Sequence, residues 1–221
     1  MSDFSTARGK MVDCQVRPSG VTDLRIIEAM LALPREVFVP EGQRALAYLD
    51  LDLDVSEKGA PKRYLINPMV IARMIQAADI KSTDNVLVVG CATGYTAALA
   101  AKLADRVTAT ESDPTLAATA AGILATLGFG HVTVVTAAAA EGAPAHAPYD
   151  VIILEGATEV VPDLLYRQLG AEGRLVGVFA MSRTQRAVII THSHSDFGDR
   201  PLFDASAPVL PGLERPAAFV F

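Results

Sequence analysis

The chain contains few cysteines: Cys14 and Cys91 are the two present among 221 residues, and they lie far apart in the sequence. Two cysteines make no disulfide framework, and Cys91 belongs to a candidate ligand turn, so we expect a reducing compartment. No apolar run approaches the roughly 18 residues that a membrane helix needs. The first ten residues are polar and lack the apolar core of a signal peptide, which favours a cytoplasmic protein with a frayed amino terminus.

Positive charge is scarce as well, since 19 lysines and arginines stand against 25 acidic residues and give a net charge of −6. This balance provides no electrostatic footprint for nucleic acid, although it is compatible with a peptide or protein substrate. His192 and His194 have no cysteine or carboxylate partners at metal-ligand spacing, so no metal site is expected. The sequence also lacks a Gly-x-Ser-x-Gly nucleophile turn and a phosphate-binding lysine loop.

The second half of the chain shows a regular alternation of strand and helix patterns. This alternation predicts an α/β fold in which helices cover both faces of a parallel sheet. Two later β-like segments, Arg186–His192 and Pro216–Phe221, break the alternation and are expected to pair antiparallel at one edge. The predicted strands are Asn85–Val89, Arg106–Thr110, Val132–Thr136, Val151–Leu154 and Arg174–Phe179, and the predicted helices are Tyr95–Ala104, Pro114–Leu127 and Asp163–Leu169.

Residues 1–80 have a different character and are expected to form a helical segment and an active-site cover packed on a core of residues 81–221. Helical periodicity runs over Val21–Leu33, and Asn67-Pro68 begins a second helix that extends to about Ala78. The period-two pattern of Leu49–Val55 favours an exposed strand. At this length the two parts are expected to form a single compact domain.

The most informative segment is Val86-Leu-Val-Val-Gly-Cys-Ala-Thr-Gly-Tyr95, in which an apolar strand runs into a glycine-containing turn. A helical pattern follows, and this strand–turn–helix order lets backbone N–H groups approach a nucleotide-like ligand. A dinucleotide-binding turn has glycine at its first, third and sixth positions. Here Gly90 fills the first, Ala92 the third and Tyr95 the sixth, while Gly94 takes the fifth. The spacing therefore favours a smaller nucleoside ligand over a dinucleotide.

Two acidic residues follow later strands of the same sheet. Glu111 ends the second strand 21 residues after Gly90, at the separation expected of the carboxylate that binds ribose hydroxyls. The alternative is that Glu111 only caps the helix that begins near Asp113-Pro114. Glu155 ends the fourth strand, and it either lines the same crevice or is a solvated loop carboxylate.

With these features the turn and Glu111 resemble the cofactor site of class I S-adenosylmethionine-dependent methyltransferases. Several blocks resemble, in order, the protein-L-isoaspartate O-methyltransferase family, and together they span roughly residues 20 to 190. The blocks are Leu33-Pro-Arg-Glu-Val-Phe-Val-Pro40, Ala47-Tyr-Leu-Asp50, Asn67-Pro-Met-Val-Ile-Ala-Arg-Met74, Gly94-Tyr95, Ala147-Pro-Tyr-Asp150 and Gln168-Leu-Gly-Ala-Glu-Gly-Arg-Leu175.

The resemblance implies a Rossmann-like fold with a mostly parallel seven-stranded sheet flanked by helices and an antiparallel C-terminal edge. It implies S-adenosyl-L-methionine as cofactor and methyl transfer to isoaspartyl carboxylates of damaged proteins or peptides. The cofactor-binding positions that follow from it are Gly90, Cys91, Ala92, Gly94, Tyr95, Glu111, Ser112, Ala138 and Glu155.

The sequence departs from the family pattern at two places. Typical members read Gly-Gln-Thr-Ile-Ser-x-Pro before the Asn-Pro helix, whereas this chain reads Lys62-Arg-Tyr-Leu-Ile-Asn-Pro68. Tyr64 and Ile66 therefore replace the hydroxyl residues, and with Asn67 they mark the positions of the family active-site loop. The family aspartate near the adenine aligns with Ala138.

Methyl transfer to a carboxylate demands little acid–base chemistry, because a carboxyl group with a pKa of about 4 is already ionised at pH 7. The missing histidine or glutamate base is thus compatible with this reaction. Three hypotheses remain open. They are an isoaspartyl-type methyltransferase or a divergent relative with another acceptor, a catalytically silent protein that binds the cofactor or a partner, and a nicotinamide-dependent oxidoreductase. Tyr95 at the sixth turn position argues against the last.

Overall fold

Seven strands form one sheet in the computed structural model, which describes residues 3–193 and 196–216. A separate two-stranded hairpin lies before it in the chain. The strands are β1 (Leu53–Asp54), β2 (Tyr64–Leu65), β3 (Asn85–Val89), β4 (Arg106–Glu111), β5 (Thr133–Thr136), β6 (Tyr149–Thr158), β7 (Leu169–Phe179), β8 (Arg186–Ser193) and β9 (Asp196–Asp204). The helices are α1 (Phe4–Met11), α2 (Leu24–Ala32), α3 (Pro68–Ala78), α4 (Tyr95–Ala101), α5 (Pro114–Thr126) and α6 (Asp163–Tyr166).

The strand order in the large sheet is β5-β4-β3-β6-β7-β8-β9. Strands β3 to β7 are parallel, whereas β8 and β9 run antiparallel to their neighbours, as the predicted fold class requires. The chain moves outward from β3 through β4 to β5, and then returns to the other side of β3 with β6. In sheets of this kind ligands bind at such a reversal point, beyond the carboxyl ends of the strands.

Strand β3 lies at the centre of the sheet and is covered on both faces. Val86, Leu87, Val88 and Val89 are fully buried and belong alternately to the two apolar cores, one on each side of the sheet. A continuous run of β-branched and aliphatic residues is typical of a parallel strand buried on both faces. The register aligns Val89 with Thr110 of β4 and with Leu154 of β6, so the residues that follow these three positions share one edge.

The amino terminus is helical, and the expectation of a frayed start is wrong for the residues from Asp3 onward. The Asp3 carboxylate accepts hydrogen bonds from the backbone N–H groups of Ser5 and Thr6 and so caps α1. Met11 at the other end of α1 is buried in the main core. A cap and one buried anchor stabilise a helix whose sequence is polar overall.

The strand predicted over Leu49–Val55 is reduced to Leu53–Asp54, which pairs with Tyr64–Leu65. The acidic residues before it serve another purpose. Asp52 accepts a hydrogen bond from the backbone N–H of Asn67 at 2.7 Å, and Asp50 accepts one from the Asn67 side chain at 2.5 Å. The period-two pattern there reflects these contacts at the start of α3.

The antiparallel edge is formed by a different segment from the one predicted. Strand β8 pairs with β7 on one side and with β9 on the other, so both of its edges are occupied. The predicted partner Pro216–Phe221 lies, apart from its first residue, outside the described residues. Strand β9 contains Gly198 and Pro201, which disfavour strand structure, but proline is tolerated on an edge strand.

No helix in the described part of the chain is long and apolar enough to span a membrane. Within the same residues, no group of three or more histidine, cysteine or acidic side chains could hold a metal ion.

Candidate cofactor site

The turn after β3 has the backbone conformation that the glycine pattern predicts. Gly90 and Gly94 have φ angles of +71° and +98°, which glycine adopts without steric cost. Ala92 also has a positive φ, +49°, at the position where a dinucleotide turn would carry glycine. The N–H of Cys91 donates to the carbonyl of Thr110 at 2.8 Å and ties the turn to β4.

Glu111 is fully buried at the end of β4, directly beside this turn. Its carboxylate accepts hydrogen bonds from the backbone N–H groups of Ala92 at 2.7 Å, Ser112 at 2.9 Å and Asp113 at 3.2 Å. Asp113 itself caps α5 by accepting from Thr115 and Leu116. Glu111 is therefore not the helix cap that the alternative interpretation supposed, and it joins the end of β4 to the ligand turn.

Arg63, which is not among the predicted site residues, forms a buried ion pair with Glu111. Its Nε lies 2.9 Å from Glu111 Oε1, and its Nη2 lies 2.9 Å from Oε2. Nη2 also donates to the carbonyl oxygen of Gly90 at 2.6 Å. Burial alone would raise the pKa of Glu111, but the hydrogen bonds and positive charge of Arg63 outweigh it and lower that pKa. The signal that could have revealed Arg63 is its place at the glutamine position of the family active-site loop.

Leu210 fills the remaining space next to the turn. A Cβ atom on Gly90 would lie 2.6 Å from Leu210 Cδ2 and 2.8 Å from Arg63 Nη2. A Cβ atom on Gly156, just beyond Glu155, would lie 2.7 Å from Leu210 Cγ. The two glycines thus leave a space at the turn, and the side chains of Arg63 and Leu210 occupy it.

Glu155 is buried as well, with 2% of its surface exposed, so it is not a solvated loop carboxylate. Burial raises its pKa to about 8, and the positive charges of Arg35 and Arg63 only partly oppose that rise. Among the described residues, neither Glu155 Oε2 nor Thr96 Oγ1 has a hydrogen-bond partner. At neutral pH this carboxyl group is mainly protonated.

Three other predicted cofactor-binding residues, Tyr95, Ser112 and Ala138, lie around the turn and Glu111. Tyr95 is fully buried, and its ring packs against Phe38 at 5.4 Å and under the Arg35 guanidinium at 4.5 Å, below the N-terminal segment. Ser112 is exposed but donates to Glu111. Ala138 is exposed in a turn after β5, where its carbonyl accepts from Glu141.

The three positions of the active-site loop lie on the arm, by which we mean residues 50–67. Ile66 is buried, and its carbonyl accepts a hydrogen bond from Arg35 at 2.9 Å. The side chain of Asn67 accepts from the N–H of Met69 at 2.8 Å and so caps α3. Tyr64 is half-buried at the start of β2.

The residues at this edge fit S-adenosylmethionine in chemistry, and they fit it in space only after rearrangement. Glu111 offers a carboxylate for ribose hydroxyls, and Gly90 with Gly156 leaves room for close approach of a ligand. In the present conformation Arg63 holds that carboxylate and Leu210 fills that room. The structure thus brings together Gly90, Cys91, Ala92, Glu111 and Glu155, with Arg63 and Leu210 between them.

Comparison with known proteins identifies relatives over most of the chain. Residues 7–198 match the family model "Protein-L-isoaspartate(D-aspartate) O-methyltransferase (PCMT)". A protein-L-isoaspartate O-methyltransferase of Rhodopseudomonas palustris is 38% identical over 206 residues, which are 92% of this chain and 93% of that protein. One of Roseiflexus castenholzii is 38% identical over 174 residues, covering 79% and 78%.

Solved structures support the same fold. A structure described as a protein-L-isoaspartate O-methyltransferase superposes with a TM-score of 0.83 at 24% identity, over 94% of this chain and 67% of that one. A putative Plasmodium falciparum enzyme of this kind, in complex with S-adenosyl-L-homocysteine, superposes with a TM-score of 0.77 at 16% identity, over 95% and 99%. At these identities the likeness concerns the fold.

Proposed function

Because the chain belongs to the protein-L-isoaspartate(D-aspartate) O-methyltransferase family, we propose that it transfers a methyl group from S-adenosylmethionine to isoaspartyl carboxylates in damaged proteins or peptides. The observation that carries the proposal is the buried carboxylate of Glu111, which accepts the N–H of Ala92 from the turn at the reversal point of the sheet. Protein repair in the cytoplasm would be the corresponding role, and two unpaired cysteines are compatible with it.

The cofactor would supply the methyl group, and the chain would hold and orient the two reactants. Glu111 would accept the ribose hydroxyls, with Gly90 and Gly156 beneath the ligand. The substrate carboxylate is ionised at neutral pH, so no side chain needs to remove a proton. Alignment and exclusion of water are the remaining requirements, and the arm is suitably placed to provide them.

We propose that residues 1–80 act as the cover and residues 81–221 as the cofactor-binding core. Supporting this, side chains from α1, α2 and α3 share one continuous apolar core with β3 and β4. Within the cover, Tyr64 is the proposed contact to substrate, since Ile66 is buried and Asn67 caps a helix.

The test is methyl transfer from labelled S-adenosylmethionine to a synthetic isoaspartyl peptide, with the matching aspartyl peptide as control. We expect labelled isoaspartyl peptide and no labelled aspartyl peptide. Glu111→Gln should abolish transfer, because the amide offers the ribose one acceptor oxygen and no charge. If the intact protein binds S-adenosylhomocysteine but labels neither peptide, the substrate assignment is wrong.

A further inference from the structure

The position that the ribose would take on Glu111 is held by a guanidinium group of the chain itself. Both carboxylate oxygens accept from Arg63, at distances of 2.9 to 3.2 Å, and the same guanidinium reaches the carbonyl of Gly90. Arg63 is 3% exposed and Glu111 is not exposed. A charged guanidinium forms stronger hydrogen bonds with a carboxylate than neutral hydroxyls do, so ligand and arginine cannot share this carboxylate freely.

The second occupant comes from the strap, by which we mean residues 205–213 after β9. The strap runs over the end of β6: the N–H of Ala157 donates to Pro208 at 2.8 Å, and the N–H of Leu210 donates to Ala157 at 2.9 Å. A third backbone bond joins Glu159 to Leu213 at 2.9 Å. These bonds place the fully buried Leu210 side chain against Gly90 and Gly156.

We propose that Arg63 and Leu210 form an internal plug that competes with the cofactor for Glu111 and for the space above Gly90 and Gly156. This inference rests on the proposed function, because it concerns the same site. The plugged and the ligand-bound states exclude each other. The apparent affinity for cofactor is then the affinity of the open site multiplied by the fraction of molecules that are open.

The arm contains the means to release Arg63. The segment just before it, Glu57 to Lys62, is almost entirely exposed, and β1 and β2 are two residues each. A long arginine side chain at the end of an exposed loop can turn its charged group to solvent while its methylenes stay on the protein surface. The strap depends on backbone bonds outside the sheet ladder, so Leu210 can withdraw without unpairing β6 from β3.

Calorimetric titration with S-adenosylhomocysteine tests the plug without depending on catalysis. Arg63→Gln places the residue of the typical family motif at this position and removes the charge. Leu210→Ala empties the space over the two glycines by an independent route. We expect each variant to bind at least about 10-fold more tightly than the unaltered protein, since each raises the open fraction.

Matched controls separate the plug from general loosening of the fold. Arg174→Gln removes another poorly exposed arginine, which pairs with Asp84 at 2.7 Å away from the turn. Leu213→Ala removes a buried leucine from the same strap, and the atoms nearest to Gly90 and Gly156 belong to other residues. Both controls should bind S-adenosylhomocysteine with the affinity of the unaltered protein.

The outcomes are distinct. Unchanged affinity in Arg63→Gln and Leu210→Ala overturns the plug, and so does the absence of binding in every variant. If both variants bind more tightly but no form methylates an isoaspartyl peptide, the plug stands and the proposed reaction falls. If the unaltered protein methylates the peptide and neither variant changes affinity, the reaction stands and the plug falls.

Discussion

The carboxyl edge of β3, β4 and β6 and the two segments that cover it are built by different kinds of interaction. At the edge, Gly90 and Glu111 are joined through backbone groups of neighbouring strands and of the turn. The arm and the strap reach that edge with single side chains: Arg63 contacts Glu111 across 48 positions of sequence, and Leu210 contacts Gly90 from the other end of the chain. We therefore expect the edge to be the rigid part of the proposed cofactor site, and the arm and the strap to be the parts that can move.

The largest expected effect on stability comes from removing the ion pair between Glu111 of the edge and Arg63 of the arm. Glu111→Ala removes the ion-pair partner of Arg63 and the acceptor of three backbone N–H groups, which together should cost about 3–5 kcal/mol of unfolding free energy. Urea denaturation measures it. Asp204→Ala is the control, because its pair with Arg186 is 51% and 70% exposed and should contribute less than about 1 kcal/mol. Equal losses would mean that Arg63 does not sit on Glu111 in solution.

The buried carboxyl group of Glu155, at the same edge, should make the stability of the protein depend on pH. Its pKa is raised to about 8 in the folded protein by burial, against 4.5 ordinarily, so the folded state retains a proton that the unfolded state releases. Stability should therefore fall as pH rises from about 4.5 to about 8, by at most about 1.4 kcal/mol per pH unit. Glu155→Gln should remove this slope. Parallel stability curves for the two proteins over that range would refute the buried, protonated state.

Gly156 tests the contact between edge and strap. A Cβ there would lie 2.7 Å from Leu210 Cγ and 2.9 Å from the Pro208 carbonyl, so Gly156→Ala must displace the strap. We expect a loss of about 1–3 kcal/mol in thermal or urea unfolding. Gly170→Ala meets its first neighbours at 3.5 Å and is the control. If Gly156→Ala is no more destabilising than Gly170→Ala, the strap is not packed on this glycine.

Tyr64 is expected to give the smallest effect, and one confined to activity. If its phenol hydrogen-bonds the substrate, Tyr64→Phe should lower kcat/KM by roughly 3- to 10-fold, the value of one ordinary hydrogen bond, with unchanged unfolding. Methylation kinetics on isoaspartyl peptide provide the measurement. Unchanged kinetics would remove Tyr64 from the substrate contacts.

Local rules made the edge predictable. The apolar run of β3, the two glycines with positive φ and the distance to Glu111 are properties of short sequence windows, and the strand–turn–helix order follows from them. The parallel sheet likewise follows from the alternation of strands and helices.

The contacts that the arm and the strap make with this edge were not predictable in the same way. Arg63 stands at a position of the family active-site loop, but no local pattern indicates that it meets Glu111 or that Leu210 reaches Gly90, because these contacts depend on the tertiary path of the chain. Helix α1 and strand β9 were missed for related reasons: one depends on a cap and a buried anchor, the other on pairing with β8 despite Pro201. Local propensity is overridden where tertiary contacts decide.

The most direct test of competition between Arg63 and the cofactor for the Glu111 carboxylate is the reactivity of Arg63 toward phenylglyoxal. Mass spectrometry measures this reactivity with and without saturating S-adenosylhomocysteine. A bound ligand ordinarily protects arginines in its site. If the ligand displaces Arg63 from Glu111, the guanidinium moves from a 3% exposed position to solvent, and its modification should become faster when ligand is bound. Protection of Arg63 by bound ligand, or an unchanged rate, would contradict the account.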